Sequence, residues 1–172
     1  MSRGDRKAER VHLIDTIEAL TDRPDDPEQR TRTRRLLRSY WAAVLGQDAA
    51  ALRPLLSEDV LVDLPFSESG QVTEGHFRAF RGIEEVMAFW ATAFSLEGED
   101  SGLYDAEVTV SSDGHVVFVE GFGQVTMANG HDYRNRYVFR VVIDGDQVTH
   151  FREYYNPIVS ARAFGREIAA TD

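Results

Sequence analysis

Three turn dipeptides, Asp113-Gly114, Asn129-Gly130 and Asp144-Gly145, punctuate the last third of the chain at near-regular intervals. Asp-Gly and Asn-Gly tolerate the positive φ that a two-residue hairpin turn demands. Between and around them lie β-rich runs: Leu103 to Val110, His115 to Met127, Tyr133 to Ile143 and Gln147 to Tyr155. This pattern predicts a four-stranded antiparallel meander. The last run ends in Asn156-Pro157, where proline cannot donate to a ladder. The closing hairpin, Tyr133 to Pro157, is heavily charged for a strand pair, with Arg134, Arg136, Arg140, Arg152 and Glu153. Either these charges sit in water or some of them line a pocket.

The first half is helical with one hairpin. Leu13, Ile14, Ile17 and Leu20 recur at helical spacing, and the Pro-Asp segment from Thr21 to Gln29 reads as a linker. A second helix is predicted from Glu28 to Leu45, with Leu37, Trp41, Val44 and Leu45 on one side and an Arg-rich, exposed first half. Gly46 fits the left-handed position past its end, and Asp48 caps a short third helix. Val60 to Phe66 reads as a strand, followed by a polar turn from Ser67 to Gly70 and a return segment through Phe80. Ile83, Val86, Met87, Trp90, Ala93 and Phe94 form a helical stripe ending near Glu97-Gly98. Helices, a hairpin, a helix and then a meander give an α+β fold, with helices on one face of a curved sheet.

Composition narrows the function. The formal net charge is −10, and all of it and more sits beyond residue 38, since the first 38 residues are net positive. An acidic body argues against nucleic acid as a partner. No apolar run approaches a membrane span, and Met1 to Arg10 lacks the apolar core of a signal peptide, so a cytoplasmic protein is expected. The chain has no cysteine, which excludes thiol chemistry and cysteine-based metal sites. Its 5 histidines have no metal-ligand spacing, and no metal or other cofactor is expected. Arg3-Gly4-Asp5 reads as a chance tripeptide rather than an adhesion motif.

Several segments together resemble one superfamily. They are Leu55-Leu56-Ser57-Glu58-Asp59-Val60 running into Val62-Asp63-Leu64-Pro65-Phe66, Arg81-Gly82 opening a helix, Val119-Glu120-Gly121, Asn135-Arg136-Tyr137, and Arg152-Glu153-Tyr154-Tyr155-Asn156-Pro157. The resemblance is to the SnoaL-like and ketosteroid-isomerase-like branch of the nuclear-transport-factor-2-like superfamily, and the closing motif resembles the phenazine biosynthesis A/B proteins. It implies a cone-shaped α+β barrel: a strongly curved, mostly antiparallel sheet around N-terminal helices, with an apolar pocket inside. It also implies a homodimer through the outer sheet face. The cone would span residues 30–165, with an extension at 1–29 and a tail at 166–172.

The resemblance further implies site residues. In ketosteroid isomerase a carboxylate base works with a Tyr and a protonated Asp. By resemblance those acidic positions fall on Leu64 and Val138, both apolar here, so steroid-type isomerisation is not expected. The acid and helical His of the phenazine proteins are replaced by Arg134 and Phe89, while glutamates at Glu120 and Glu153 are retained. The pocket face would then take Arg134, Arg136 and Val138 on one strand, Phe151, Glu153 and Tyr155 on the next, and Glu120 beside them. Periodicity gives a different answer for the first strand: Tyr137, Phe139, Val141 and Ile143 form its apolar face, leaving the arginines in water. Asp63, which interrupts an apolar strand, is either solvated or at the cone mouth; His76 in the return segment poses the same choice. Tyr40, Trp41, Phe66, Trp90, Phe94 and Tyr155 are core or pocket wall. These residues describe an enzyme doing acid/base work on a small apolar metabolite, with Glu153 and Glu120 as the pair and an arginine stabilising an oxyanion. The alternative is a non-catalytic ligand-binding or dimerisation module on the same fold.

Overall fold

The computed structural model describes residues 13–66, 70–98 and 101–168. The Arg3-Gly4-Asp5 tripeptide, most of the Ser67–Gly70 turn and the end of the C-terminal tail lie outside them. The elements are α1 (Leu13–Glu18), α2 (Pro27–Leu45), α3 (Ala49–Leu52) with a 3-10 turn at Arg53–Leu55, β1 (Leu56–Leu64), β2 (Arg78–Arg81), α4 (Ile83–Leu96), β3 (Gly102–Val110), β4 (Val116–Thr126), β5 (Asp132–Asp144), β6 (Gln147–Tyr155) and α5 (Pro157–Ala163).

One six-stranded sheet runs β2-β1-β6-β5-β4-β3. The meander from β3 to β6 is antiparallel throughout, and β1 joins it in parallel beside β6. Gly114, Gly130 and Gly145 all have positive φ (77°, 82° and 56°), which is what the three turn dipeptides were read to require. The fold is therefore the expected α+β cone, with one refinement. β2 and β3 are free edges, so the curved sheet is open and does not close into a barrel. Asp105, at φ 50°, sits in the register shift between Tyr104 and Glu107, a bulge of the kind that bends a strand.

Helix α2 lies inside the curve. Asp26 accepts a hydrogen bond from the Gln29 amide at 2.7 Å, and Pro27 occupies the first turn, where its missing N–H costs nothing. Leu36, Leu37, Tyr40, Ala43 and Val44 are buried against the sheet, joined by Val86 and Trp90 of α4. Each such large side chain contributes about 1.5–3 kcal/mol of apolar burial. Gly46 departs from its expected role. Its φ is −83°, and Gln47 takes the left-handed conformation at φ 53°. Gly46 supplies room instead, since a Cβ there would lie 2.9 Å from the Ala42 carbonyl oxygen.

Register decides which face each strand residue occupies, because directly paired residues share a face. Tyr137 pairs with Tyr155, Phe139 with Glu153 and Val141 with Phe151, so these six face inward together. Glu120 pairs with Val138, and Arg136 with Phe122, on the outer face. The face assignment by resemblance is thus corrected for Arg134, Arg136, Val138 and Glu120, while that for Phe151, Glu153 and Tyr155 agrees with the register. The periodicity of β5 had it right: its inner face is apolar and its arginines point outward.

Candidate functional site

The concave side holds a cavity of about 320 Å3 between the open end of α4 and the β5–β6 pair. A smaller pocket of about 100 Å3 continues it toward α2, and Trp90, Glu97, Tyr133, Tyr137 and Glu153 border both. Their walls are otherwise mostly apolar, with Leu64, Phe89 and Tyr155 on one side and Trp41, Leu103 and Phe151 on the other.

Glu153 is the chemical centre. Strand alternation and its pairing with Phe139 turn it inward, and it is partly accessible only because it borders the cavity. Desolvation raises its carboxyl pKa to about 7; nearby Glu97 pushes in the same direction and Arg78 pulls against it. Glu97 caps the end of α4, where its amide still bonds the Ala93 carbonyl, and Met127 bridges it to the sheet. Burial raises its pKa too, partly offset by a hydrogen bond donated by the Ser101 hydroxyl at 3.2 Å. Arg78 reaches the cavity from the edge strand β2.

Beside the two carboxyls stands a tyrosine pair. The Tyr137 hydroxyl donates to the Tyr133 oxygen at 3.0 Å, and the buried Asn135 amide donates to the same oxygen at 3.0 Å. Desolvation raises both tyrosine pKa values, so both stay protonated at neutral pH. Asn135 also donates to the Asn156 carbonyl and accepts from the Asn156 amide, tying β5 to the cap of α5. The Trp90 Nε1 is buried at the cavity wall with no hydrogen-bond partner, as is the hydroxyl of the fully buried Tyr40 deeper in the core. A buried donor without an acceptor is costly.

The remaining predicted site residues lie elsewhere. Arg134 is exposed and paired with Asp132 at 3.3 Å, and Arg136 is exposed with its guanidinium 5.4 Å from the Phe122 ring centre. Glu120 is exposed on the outer face near Asp105 and Glu107. His76 is exposed in the turn before β2. Asp63 is neither solvated nor at the cone mouth. It is buried on the outer face, where Arg152 grips it through two nitrogens (2.6 and 2.9 Å) and His150 lies 2.9 Å away. Burial alone would raise its pKa, but these bonds hold it down at about 2. Phe66 is exposed and packs on the outer-face ring of Tyr154 at 5.4 Å. Tyr40 and Phe94 belong to the core around Trp90, whereas Trp41, Trp90, Phe151 and Tyr155 do line the pockets. Sequence reading missed Glu97, Arg78, Tyr133 and Tyr137 as site residues. Glu97 had one legible signal: an acid ending an otherwise apolar helical stripe.

Comparison with known proteins matches the SnoaL-like domain to residues 37–151. The chain belongs to the SnoaL-like family. The uncharacterized protein YesE of Bacillus subtilis (strain 168) is 23% identical over 143 residues, covering 79% of this chain and 89% of that protein. Solved structures share the fold. A phenazine biosynthesis-related protein from Pseudomonas aeruginosa is 20% identical with a TM-score of 0.64, covering 84% of this chain and 92% of the other. An NTF2-like protein from Burkholderia xenovorans LB400 is 21% identical with a TM-score of 0.63, covering 77% and 95%. Within the SnoaL-like cone of this chain, the positions Leu64 and Val138 carry no acid, and the cavity is lined by two carboxyls, Glu153 and Glu97, two arginines, Arg78 and Arg166, and the tyrosines Tyr133, Tyr137 and Tyr155. Among the described residues no cluster of three or more His, Asp or Glu could hold a metal ion, and no helix is long and apolar enough to cross a membrane.

Proposed function

We propose that this protein is an acid/base enzyme that moves a proton on a small, largely apolar metabolite, at a carbon next to a carbonyl. The observation that carries the reading is Glu153: a carboxyl in an apolar cavity whose pKa of about 7 leaves both protonation states populated at neutral pH. The ionised Glu153 takes a proton from the substrate carbon. The electrons move onto the carbonyl oxygen, which accepts a hydrogen bond from a neutral donor; the Glu153 acid then returns the proton to a different atom. A neutral donor supports this role: the Tyr133 hydroxyl, kept protonated by burial and held in place by bonds from Tyr137 and Asn135. Such a step is shared by isomerisation and cyclisation, and it requires nothing the cavity lacks.

The test needs no knowledge of the natural substrate. Cyclic ketones and β-keto esters are incubated with the protein in D2O at pH 7, and α-proton exchange is followed by NMR. Exchange accelerated by the native protein and reduced about a hundredfold or more in Glu153→Gln is expected. Exchange that is equal in both proteins sinks the enzymatic reading. Compound binding without any exchange selects the second reading, a ligand-binding module using the same cavity.

We infer a homodimer through the outer sheet face. The exposed Tyr104, Phe118 and Phe66 lie there among charges of both signs, which supports self-association. Sedimentation equilibrium showing a monomer at micromolar concentration would remove it.

A further inference from the structure

Helix α2 carries five of the 19 basic residues of an acidic chain within nine positions, and among the described residues three of them, Arg34, Arg35 and Arg38, form no ion pair. Arg30 is engaged by Asp25 and the Ser112 carbonyl. Arg34 and Arg38 are exposed, one helical turn apart, and among the described residues neither forms an ion pair. They edge a trough of about 620 Å3 between α2 and strands β3 and β4. Its floor is apolar: Leu37 and Trp41 from the helix, with Val108 and Val119, which pair in register and so share a face, from the sheet. Val108 is 56% exposed, left uncovered because β3 is the free edge of the sheet.

Trp41 borders both this trough and the pocket that leads to Glu153. The two spaces adjoin at this side chain. Arg34 lies seven residues from Trp41, about 10 Å along the helix axis. Glu153 thus lies on one side of Trp41, and Arg34 and Arg38 on the other, with mostly apolar walls along both spaces.

We propose that the two spaces join past Trp41 into one channel that binds an amphipathic anion, with a carboxylate or equivalent acidic group on Arg34 and Arg38 and an apolar body running toward Glu153. This names the substrate class of the proposed enzyme and rests on that reading only for what happens at Glu153. Charge complementarity selects the occupant: two adjacent guanidinium groups without carboxylates, on a chain of net charge −10, attract anions at this place against the field of the rest of the molecule. The apolar floor excludes a small hydrophilic anion as the best fit, because it would leave the trough wall in water.

The probe is decanoate, with decanol as its uncharged counterpart, measured by calorimetry against the full chain. The native protein is expected to bind decanoate at least about tenfold more tightly than decanol, and Arg34→Gln/Arg38→Gln is expected to lose at least that factor for decanoate while keeping its affinity for decanol. Because both arginines are exposed and unpaired, the thermal midpoint of the double variant should match the native one. Equal decanoate affinity in native and double-variant protein overturns the inference. So does binding seen only to anionic phospholipid vesicles and not to monomeric decanoate. Glu153→Gln separates the two proposals: arginine-dependent decanoate binding that survives in this variant, alongside absent proton exchange in the native protein, keeps the anion site and discards the enzyme.

Discussion

Glu97, just past the end of α4, and Glu153, near the end of β6, open into the same cavity, and the charge of Glu97 adds to the desolvation that raises the Glu153 pKa to about 7. A negative charge on Glu97 disfavours a second one on Glu153, which is why it pushes in the same direction as burial. Glu97→Gln should lower the midpoint of Glu153, followed by NMR titration of the labelled carboxyl carbon. A midpoint that stays unchanged would show that the two groups do not interact.

Stability should fall with rising pH because of Glu153. Its folded pKa of about 7 lies above the ordinary glutamate value of 4.5, so the folded state holds the proton more tightly. The contribution is fully present below about pH 4.5 and is lost as pH rises through 7, on the order of 3 kcal/mol. Glu153→Gln removes this dependence. Urea unfolding at pH 5 and pH 8 should show a smaller drop in the variant than in the native protein.

Asp63 acts with the opposite sign. Its folded pKa of about 2 lies below the ordinary 3.8, so its contribution is present above about pH 4 and is lost as pH falls through 2. Asp63→Asn leaves Arg152 half-buried without its carboxylate and should cost about 2 kcal/mol at pH 7, discounted for the exposure of that arginine. Since Asp63 faces away from the cavity, ligand affinity should persist in the folded variant. Loss of affinity with stability unchanged would place Asp63 in the site.

Gly123 holds the wall of the cavity by its absence of a side chain. A Cβ there would meet the Tyr137 ring at 2.5 Å. Gly123→Ala must displace that ring and with it the hydroxyl bond to Tyr133, at a cost of about 1–3 kcal/mol. Chemical denaturation measures the loss; no loss would mean that Tyr137 moves freely.

Ala93 borders the larger cavity on the exposed flank of α4. Ala93→Phe should occupy part of the space, weaken binding of any cavity ligand by about tenfold or more, and leave the thermal midpoint nearly unchanged. Undiminished binding in that variant would move the ligand elsewhere.

Much of the architecture was legible in short-range pattern. The turn glycines carry the positive φ that their dipeptides demanded, and the 3.6-residue stripes of α2 and α4 became buried faces, because these signals arise from a residue and its near neighbours. Periodicity also placed Arg134 and Arg136 correctly in water, where a resemblance across the family put them in the pocket, although Arg140, read the same way, is half-buried. Alternation is a property of this strand, while family positions shift with each register change. The common inward face of Phe151, Glu153 and Tyr155 was legible too, since alternation along a strand turns them to one side.

Asp63 shows where such reading stops. In sequence it is an acid in an apolar strand, and nothing local says that Arg152 and His150 will arrive from a parallel neighbour. Glu97 and Arg78 reach Glu153 in the same way, from a helix end and an edge strand far off in the chain. Elements, turns and the apolar face of each strand follow from local pattern, since they depend on backbone conformation and side-chain alternation. Which charges meet, how dry their meeting place is and hence which carboxyl titrates near neutrality come from the folded arrangement, because Coulomb energy and desolvation depend on distances and burial that no single segment contains.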